Sequence, residues 1–433
     1  MNTILRAGFA ALVLAITFLL TAGNSGADFS RDANIARAAN RALRHHIFVD
    51  GPNPLCSDDN PGTKNRPLCT IQVAADRSAP GSIIHVREGV YPEMVRVHIS
   101  GAPGAPIRFV TDNQGHVVID SPREAGFDLV NVTHIKIGGF EITGAWMPET
   151  ATANAAELGR PAHGGGIRAV RVHKSVFARN VIHDNDAGIW LAESNANKIH
   201  NNVLYQNGEA SVRVKRGHHN RIYNNLIFNN GTRERWGITF YCALGTKVYH
   251  NTVIEPSGGA IYIYEGTANL TGTPPGDPGF CIPSNDTQVY DNLGVVIGKL
   301  AGETAPLVIG SSTTTDRPDI LEQLYGPLTN QYHHNLFYNR FFEADVVSWG
   351  DFAERLTFAY YDLLNLAEFQ QKAPGYGADS LTDNPLFEDP LHNNFKLAEN
   401  SPAKGQASDD SDLGVNFQTL PAVNYDALPS FWE

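Results

Sequence analysis

Lys215 stands between two arginines in the run Arg213-Val214-Lys215-Arg216. Neighbouring positive charge lowers the pKa of an ammonium, which lets a lysine act as a general base. Arg213 and Arg216 can each hold a carboxylate by charge-assisted hydrogen bonds. The triplet lies within residues 209–235, where Arg213, Lys215, Arg216, Arg221, Arg233 and Arg235 are set against only Glu209 and Glu234. The whole chain carries a formal charge of −12. A basic stretch on an acidic protein points to an acidic ligand. The overall charge disfavours sequence-independent binding to duplex nucleic acid. Trp190, Tyr241, Tyr262 and Tyr264 lie nearby on the repeat, and aromatic faces of this kind stack on sugar rings.

Other residue types with chemical potential are fewer. Asp184, Asp186, Glu193 and Glu209 form a candidate oxygen set for a hard cation such as Ca2+. Asp184-Asn185-Asp186 ahead of Gly188 also suits a turn. The adjacent histidine pairs His45-His46, His218-His219 and His333-His334 diverge if they sit on strands, so they do not share a metal. The four cysteines are Cys56, Cys69, Cys242 and Cys281. Pairing 56–69 and 242–281 closes two local loops and is the preferred set of the three possible. Zinc ranks lower, because no Cys-x-x-Cys spacing occurs. Gly-x-Ser-x-Gly and His-Glu-x-x-His motifs are missing from the sequence.

These residues are positioned by a repeat. Gly166-Ile167-Arg168 and Gly188-Ile189-Trp190 begin two segments 22 residues apart, which run on to Asn180-Val181-Ile182 and Asn202-Val203-Leu204. Further copies run from Ser211 to Leu226, from Gly237 to Thr252 and from Ala260 to Leu293, and a degenerate one ends at His334-Asn335-Leu336. Each contains short alternating apolar stretches divided by Asn and Gly, which is the pattern of half-buried strands and tight turns. A period near 22 with three strands per period predicts an all-β, right-handed parallel β-helix. Ile167, Ile189, Val212, Ile238 and Ile261 then form one inward column. Asn180, Asn202, Asn225, Asn251, Asn292 and Asn335 form a second, read as a structural amide ladder.

The same alignment places Arg168, Trp190, Arg213, Thr239 and Tyr262 in one outward column and Val170, Ala192, Lys215, Tyr241 and Tyr264 in the next. Arg171, Glu193, Arg216 and Cys242 fall at the strand ends. Outward side chains of one sheet make a groove along the long axis that suits a polymer. Arg168, Trp190, Tyr241, Tyr262 and Tyr264 are its expected substrate contacts, with loops 147–162 and 266–288 able to roof it.

The ends complete the layout. Arg6, the apolar run Ala7–Gly23 and Ser25-Gly26-Ala27 read as a signal peptide over residues 1–27; a membrane anchor is the alternative. The mature chain, 28–433, is read as one domain and as a monomer, secreted or periplasmic, with no membrane contact after cleavage. Residues 28–80 form an N-terminal cap with helices expected at 28–46 and 67–78. Residues 350–433 form a C-terminal helical and loop region with a helix at 352–371, and residues 313–328 form an inserted loop.

Phe48-Val49-Asp50-Gly51, Asp58-Asp59-Asn60-Pro61-Gly62-Thr63, Pro67-Leu68-Cys69-Thr70-Ile71-Gln72 and Pro80 to Tyr91 resemble the opening of secreted polysaccharide lyases of the pectate-lyase-like superfamily. Asn384-Pro385-Leu386-Phe387, Asn394-Phe395-Lys396-Leu397 and Ser401-Pro402-Ala403 resemble a later part of the same proteins. The resemblance implies a β-helix that cleaves a uronate-containing polysaccharide by β-elimination. In that reaction the C6 carboxylate is neutralised, a base removes the C5 proton, and an acid protonates the leaving oxygen. Read from the residues here and not from the family's own assignment, Lys215 would be the base, Arg213 and Arg216 the carboxylate binders, and Tyr241 or Tyr264 the acid or a residue that positions the sugar. Lys215-Arg216-Gly217-His218 is similar to one element of the chondroitinase and alginate lyase branch, whose catalytic Lys one coil earlier is replaced here by Glu193. The same frame carries C5-epimerases, glycoside hydrolases and proteins that bind glycan without turnover.

Overall fold

The computed structural model describes residues 45–112, 116–147, 164–230, 236–256, 258–264, 284–298, 305–311, 329–341, 345–351 and 361–432. His45–Glu433 forms one compact unit. The expected signal peptide, the 28–44 part of the first expected helix and the 313–328 loop lie outside the described residues.

Among the described residues three long sheets run side by side along the chain's winding direction. The first begins at His46–Val49 and ends at Gln331–His333, the second runs from Val95–Val97 to Tyr361–Leu364, and the third from Gly89–Tyr91 to Leu336–Asn339. Each coil contributes one short strand to each sheet and pairs in parallel with the coils before and after it. The exception within these sheets is the last pair of the second sheet, Val347–Asp351 with Tyr361–Leu364, which is antiparallel. This is the predicted parallel β-helix.

Strands only three to six residues long need a corner every few residues. Most corners here are single residues in the left-handed region rather than glycines. Arg171, Glu193, Arg216 and Cys242 share φ values of 51 to 55° and turn the chain out of the second sheet. Arg179, Asn201, Asn224, His250, Asp291 and His334, with φ of 50 to 60°, turn it out of the first. Left-handed backbone is unfavourable for Arg and Glu, so the stacked coils must hold it. They do so through amide ladders. Asn202 Oδ1 accepts from the backbone N–H and the side-chain amide of Asn180, and the pattern repeats through Asn225, Asn251, Asn292 and Asn335. All six are fully buried. A second ladder, Asn185–Asn207–Asn230, ends on Glu255, and Asn197 and Asn220 form a third.

The interior is a continuous apolar column. Ile167, Ile189, Val212, Ile238 and Ile261 have no exposed surface, in the order that the repeat predicts. At the N-terminal end Thr70 caps the helix Ile71–Asp76, which buries Ile71, Ala74 and Ala75. His46 belongs to a strand, not to the expected helix, because Ile47 and Val49 alternate with exposed or half-buried neighbours. The expected 352–371 helix is corrected in part: Tyr361–Leu364 is a strand, and the helix is Leu366–Lys372, started by a capping box between Asn365 and Glu368. The C-terminal region is mainly turns and one hairpin, Phe387–Asp389 with Asn394–Leu397. Its Phe395, Leu413 and Val415 cover the outer face of the third sheet at Val203, Leu226 and Leu293.

Candidate functional site

The second sheet carries the candidate site, and its register follows the repeat. Arg168, Trp190, Arg213, Thr239 and Tyr262 are cross-strand partners in succession, as are Val170, Ala192, Lys215, Tyr241 and Tyr264. Adjacent members are therefore about 4.8 Å apart along the axis.

The first column is not an open platform. Trp190 and Tyr262 are each 3% exposed and Arg213 is 8% exposed. Trp190 packs with Val170 and Ala187. Tyr262 stacks on Trp236 with ring centres 4.7 Å apart and meets Tyr241 edge-on at 5.5 Å. Among the described residues these rings serve packing instead of presenting two free faces to a sugar. Repeat alignment gives the side of the sheet but not what lies over it. The chain segments 148–163, 231–235, 265–283, 312–328 and 352–360, each next in sequence to a strand of this sheet, lie outside the described residues.

The arginines of this column are already matched to carboxylates. Arg168 donates from Nε and Nη2 to both oxygens of Asp128, each at 2.9 Å. Arg213 Nη1 donates to Glu209 Oε2 at 3.0 Å, and its guanidinium carbon lies 5.6 Å from the centre of the Tyr241 ring. Arg213 thus holds Tyr241 rather than offering an uncompensated charge. Thr239 lies between Arg213 and Tyr262, fully buried, and its hydroxyl has no hydrogen-bond partner among the described residues.

The second column and the corner beside it are more accessible. Lys215 is exposed and ends the strand Val212–Lys215, while Tyr241 is half-buried at the equivalent position one coil on. Arg216 is half-buried on the left-handed corner. Glu193 lies between Arg171 and Arg216, 3.5 Å from each. Of Tyr264, the backbone register alone is described.

The four candidate cation ligands take separate partners. Asp184 pairs with His183 at 2.7 Å. Asp186 is buried and accepts from the Gly164 N–H. Glu193 bridges the two corner arginines, and Glu209 holds Arg213. Among the described residues no group of three or more His, Cys, Asp or Glu is arranged so that it could hold a metal ion. The repeat map brought the four together because it carries coil position and not side-chain direction.

Cys56 and Cys69 form a disulfide, as expected. Cys242 is also disulfide-bonded; Cys281 lies outside the described residues. No helix of the described residues is long and apolar enough to cross a membrane.

One titratable cluster was missed by the sequence reading. On the outer side of the third sheet, His183 Nε2 lies 3.2 Å from Glu141 Oε1, and His116 pairs with the other oxygen of Glu141. Burial alone would keep His183 neutral, but hydrogen bonds to Asp184 and Glu141 outweigh it and push its pKa up to about 9. The His183 hydrogen bond in turn holds Glu141 below the usual carboxylate range. Glu141 and His183 are 42 residues apart, across an insertion that hides the repeat relation, so no local spacing signals them.

Forty per cent identity over 67 residues relates the chain to the uncharacterized protein YwoF of Bacillus subtilis (strain 168), covering 16% of this chain and 14% of that one. Similar solved structures include XylC in complex with xylose (15% identity, 70% of this chain and 66% of that one, TM-score 0.48). The GH136 lacto-N-biosidase of Eubacterium ramulus is 12% identical over 74% of this chain and 67% of that one, with a TM-score of 0.45. Pectate lyase Pel9A is 15% identical over 88% and 96%, with a TM-score of 0.41. Residues 117–273 match the family described as right handed beta helix region, and the chain is a right-handed parallel β-helix.

Proposed function

We propose that this chain is an exported carbohydrate-active protein that cleaves an acidic, uronate-containing polysaccharide by β-elimination. The observation that supports this most is the register of Lys215 with Tyr241, an exposed amine next to a phenol on adjoining coils of one sheet. That pair offers a base and an acid from strands about 4.8 Å apart along a face suited to a polymer. Lys215 takes the C5 proton. The electron pair forms the C4–C5 double bond, the C4–O glycosidic bond breaks, and the Tyr241 hydroxyl protonates the departing oxygen. Arg216 on the adjoining corner offsets the C6 carboxylate. Arg213, compensated by Glu209, acts as a positioning residue through the Tyr241 ring. A disulfide-bonded chain fits an oxidising compartment outside the cytoplasm.

The test incubates the chain and its Lys215→Ala variant with alginate, pectate and chondroitin, each with calcium and with chelator. Both conditions are needed because a divalent ion can also offset the carboxylate. Ultraviolet absorbance of the unsaturated uronate end should rise and be lost in Lys215→Ala. A second reading is glycan binding without turnover. It is favoured if polymer binds while absorbance, chain length and C5 stereochemistry by NMR all stay unchanged.

A further inference from the structure

The first sheet carries on its outer face two parallel columns that the site on the second sheet does not use. Lys136, Val176, Lys198, Arg221 and Lys247 are successive cross-strand partners, with Arg108 on the coil before and Gln288 and Gln331 on the coils after. Two residues along each strand runs the second column, His200, Tyr223, Tyr249, Tyr290 and His333. These rings stack face to face with centres 4.7, 4.9, 5.1 and 5.3 Å apart and planes within 14°. Stacking uses up the ring faces and leaves the edges and hydroxyls. Burial raises the pKa of Tyr223 and Tyr290 and pushes Tyr249 up to about 12, so the phenols stay protonated donors.

Lys136, Lys198 and Arg221 are exposed and Lys247 is half-buried. Among the described residues none of these four has an ion pair, and Lys174 and Arg179 on the neighbouring corners, both exposed, have none either. Their mutual effect is visible. Burial, then the charges of Arg108 and Lys198, lower the Lys136 pKa, and no carboxylate opposes them. Like charges placed directly opposite on adjacent strands destabilise the pairing. The sheet nonetheless sets Lys198, Arg221 and Lys247 on three consecutive strands. On a chain with a net charge of −12, this row without ion pairs is complementary to a linear anion. Beside Tyr223, the Asn201 and Asn224 corners hydrogen-bond Thr419 of the C-terminal region, and these residues with Tyr223, His250 and Gln418 line a cleft of ≈ 870 Å³, so the row has a wall along one side.

We infer that this face is a second binding surface, on which an anionic polysaccharide lies along the helix axis with its acidic groups on Lys198, Arg221 and Lys247 and its hydroxyls against Tyr223, Tyr249 and Tyr290. The inference shares the ligand class of the lyase reading but needs no turnover. Binding of the chain to immobilised alginate is measured with chelator present, beside neutral dextran and duplex DNA. The triple variant Lys198→Gln/Arg221→Gln/Lys247→Gln should bind alginate about tenfold or more weakly and with a shallower salt dependence. Its circular dichroism and melting midpoint should match the parent, and Arg221→Gln alone should give a smaller loss in the same direction. Lys215→Ala, measured in parallel, reports binding on the second sheet. Unchanged binding by the triple variant overturns the inference. So does loss confined to Lys215→Ala, which places the polymer on the second sheet, and so does retention on dextran or DNA equal to that on alginate.

Discussion

Arg213 Nη1 donates to Glu209 Oε2 at 3.0 Å, four residues back in the chain, with only 9% of either side chain exposed. A buried ion pair contributes modestly as a pair, yet losing one partner strands the other charge. Glu209→Ala should therefore destabilise the fold by about 3 kcal/mol, read as a lower urea midpoint with the slope unchanged. The double variant Glu209→Leu/Arg213→Met should regain most of that loss. Equal midpoints for Glu209→Ala and the parent would show that water already reaches this guanidinium.

Asn225 accepts from the N–H and the side-chain amide of Asn202, and donates to Asn251 Oδ1 and to the carbonyls of Ile199 and Tyr223. Leucine at this position fits the volume but leaves several of those groups buried without partners. Each stranded group costs about 1–3 kcal/mol, so Asn225→Leu should lose about 3 kcal/mol or more. Asn225→Asp should also lose stability, because its carboxylate cannot donate. Thermal unfolding of both, compared with the end-of-ladder change Asn335→Leu, checks this. A smaller loss at Asn225 than at Asn335 contradicts the ladder as a cooperative element.

The repeat made this ladder legible before any coordinates, because a buried amide recurring at one coil position has no other use in a solenoid. Strand register was legible for the same reason: the Ile167 and Arg168 columns fall on opposite faces as read. Two things were not. Whether Trp190 is open or covered depends on what lies over the sheet, which periodicity inside the sheet cannot report. The direction of Asp184, Asp186, Glu193 and Glu209 depends on the left-handed corners at Asp184 and Glu193, and the sequence hides those corners because the residues there are not glycine. Glu255 illustrates the same limit, as the member of an asparagine ladder that is not asparagine.

His183 couples stability to pH. Its folded pKa, about 9, lies above its unfolded value of about 6.5. Its contribution is therefore complete below pH ~6.5 and is lost as pH rises towards 9. Glu141 is depressed, so its contribution is present above its ordinary value and lost as pH falls below it. The cluster should stabilise most between pH ~4.5 and ~6.5, by up to about 3 kcal/mol from His183. His183→Gln should lower the melting midpoint at pH 6 and converge with the parent above pH 9. A difference that stays constant from pH 5 to 9.5 would mean that the imidazole acts only through its stack on Tyr205.

Glu255 has the same sign as His183 and the opposite sign to Glu141. It is fully buried at the end of the Asn185–Asn207–Asn230 ladder, where it accepts from the backbone and side-chain amides of Asn230 at 2.8 and 2.9 Å. Burial raises its pKa to about 8, against the smaller opposing effect of those two hydrogen bonds. The folded state holds this proton while the unfolded chain releases it near pH 4.5, so folding becomes less favourable as pH rises from about 4.5 to about 8. Glutamine has nearly the same shape as the protonated acid and no charge to release. Glu255→Gln should match the parent near pH 5 and melt at a higher temperature at pH 8 to 9. A melting midpoint below the parent at every pH would instead mean that both carboxyl oxygens must accept from Asn230, and that the ladder ends on a carboxylate.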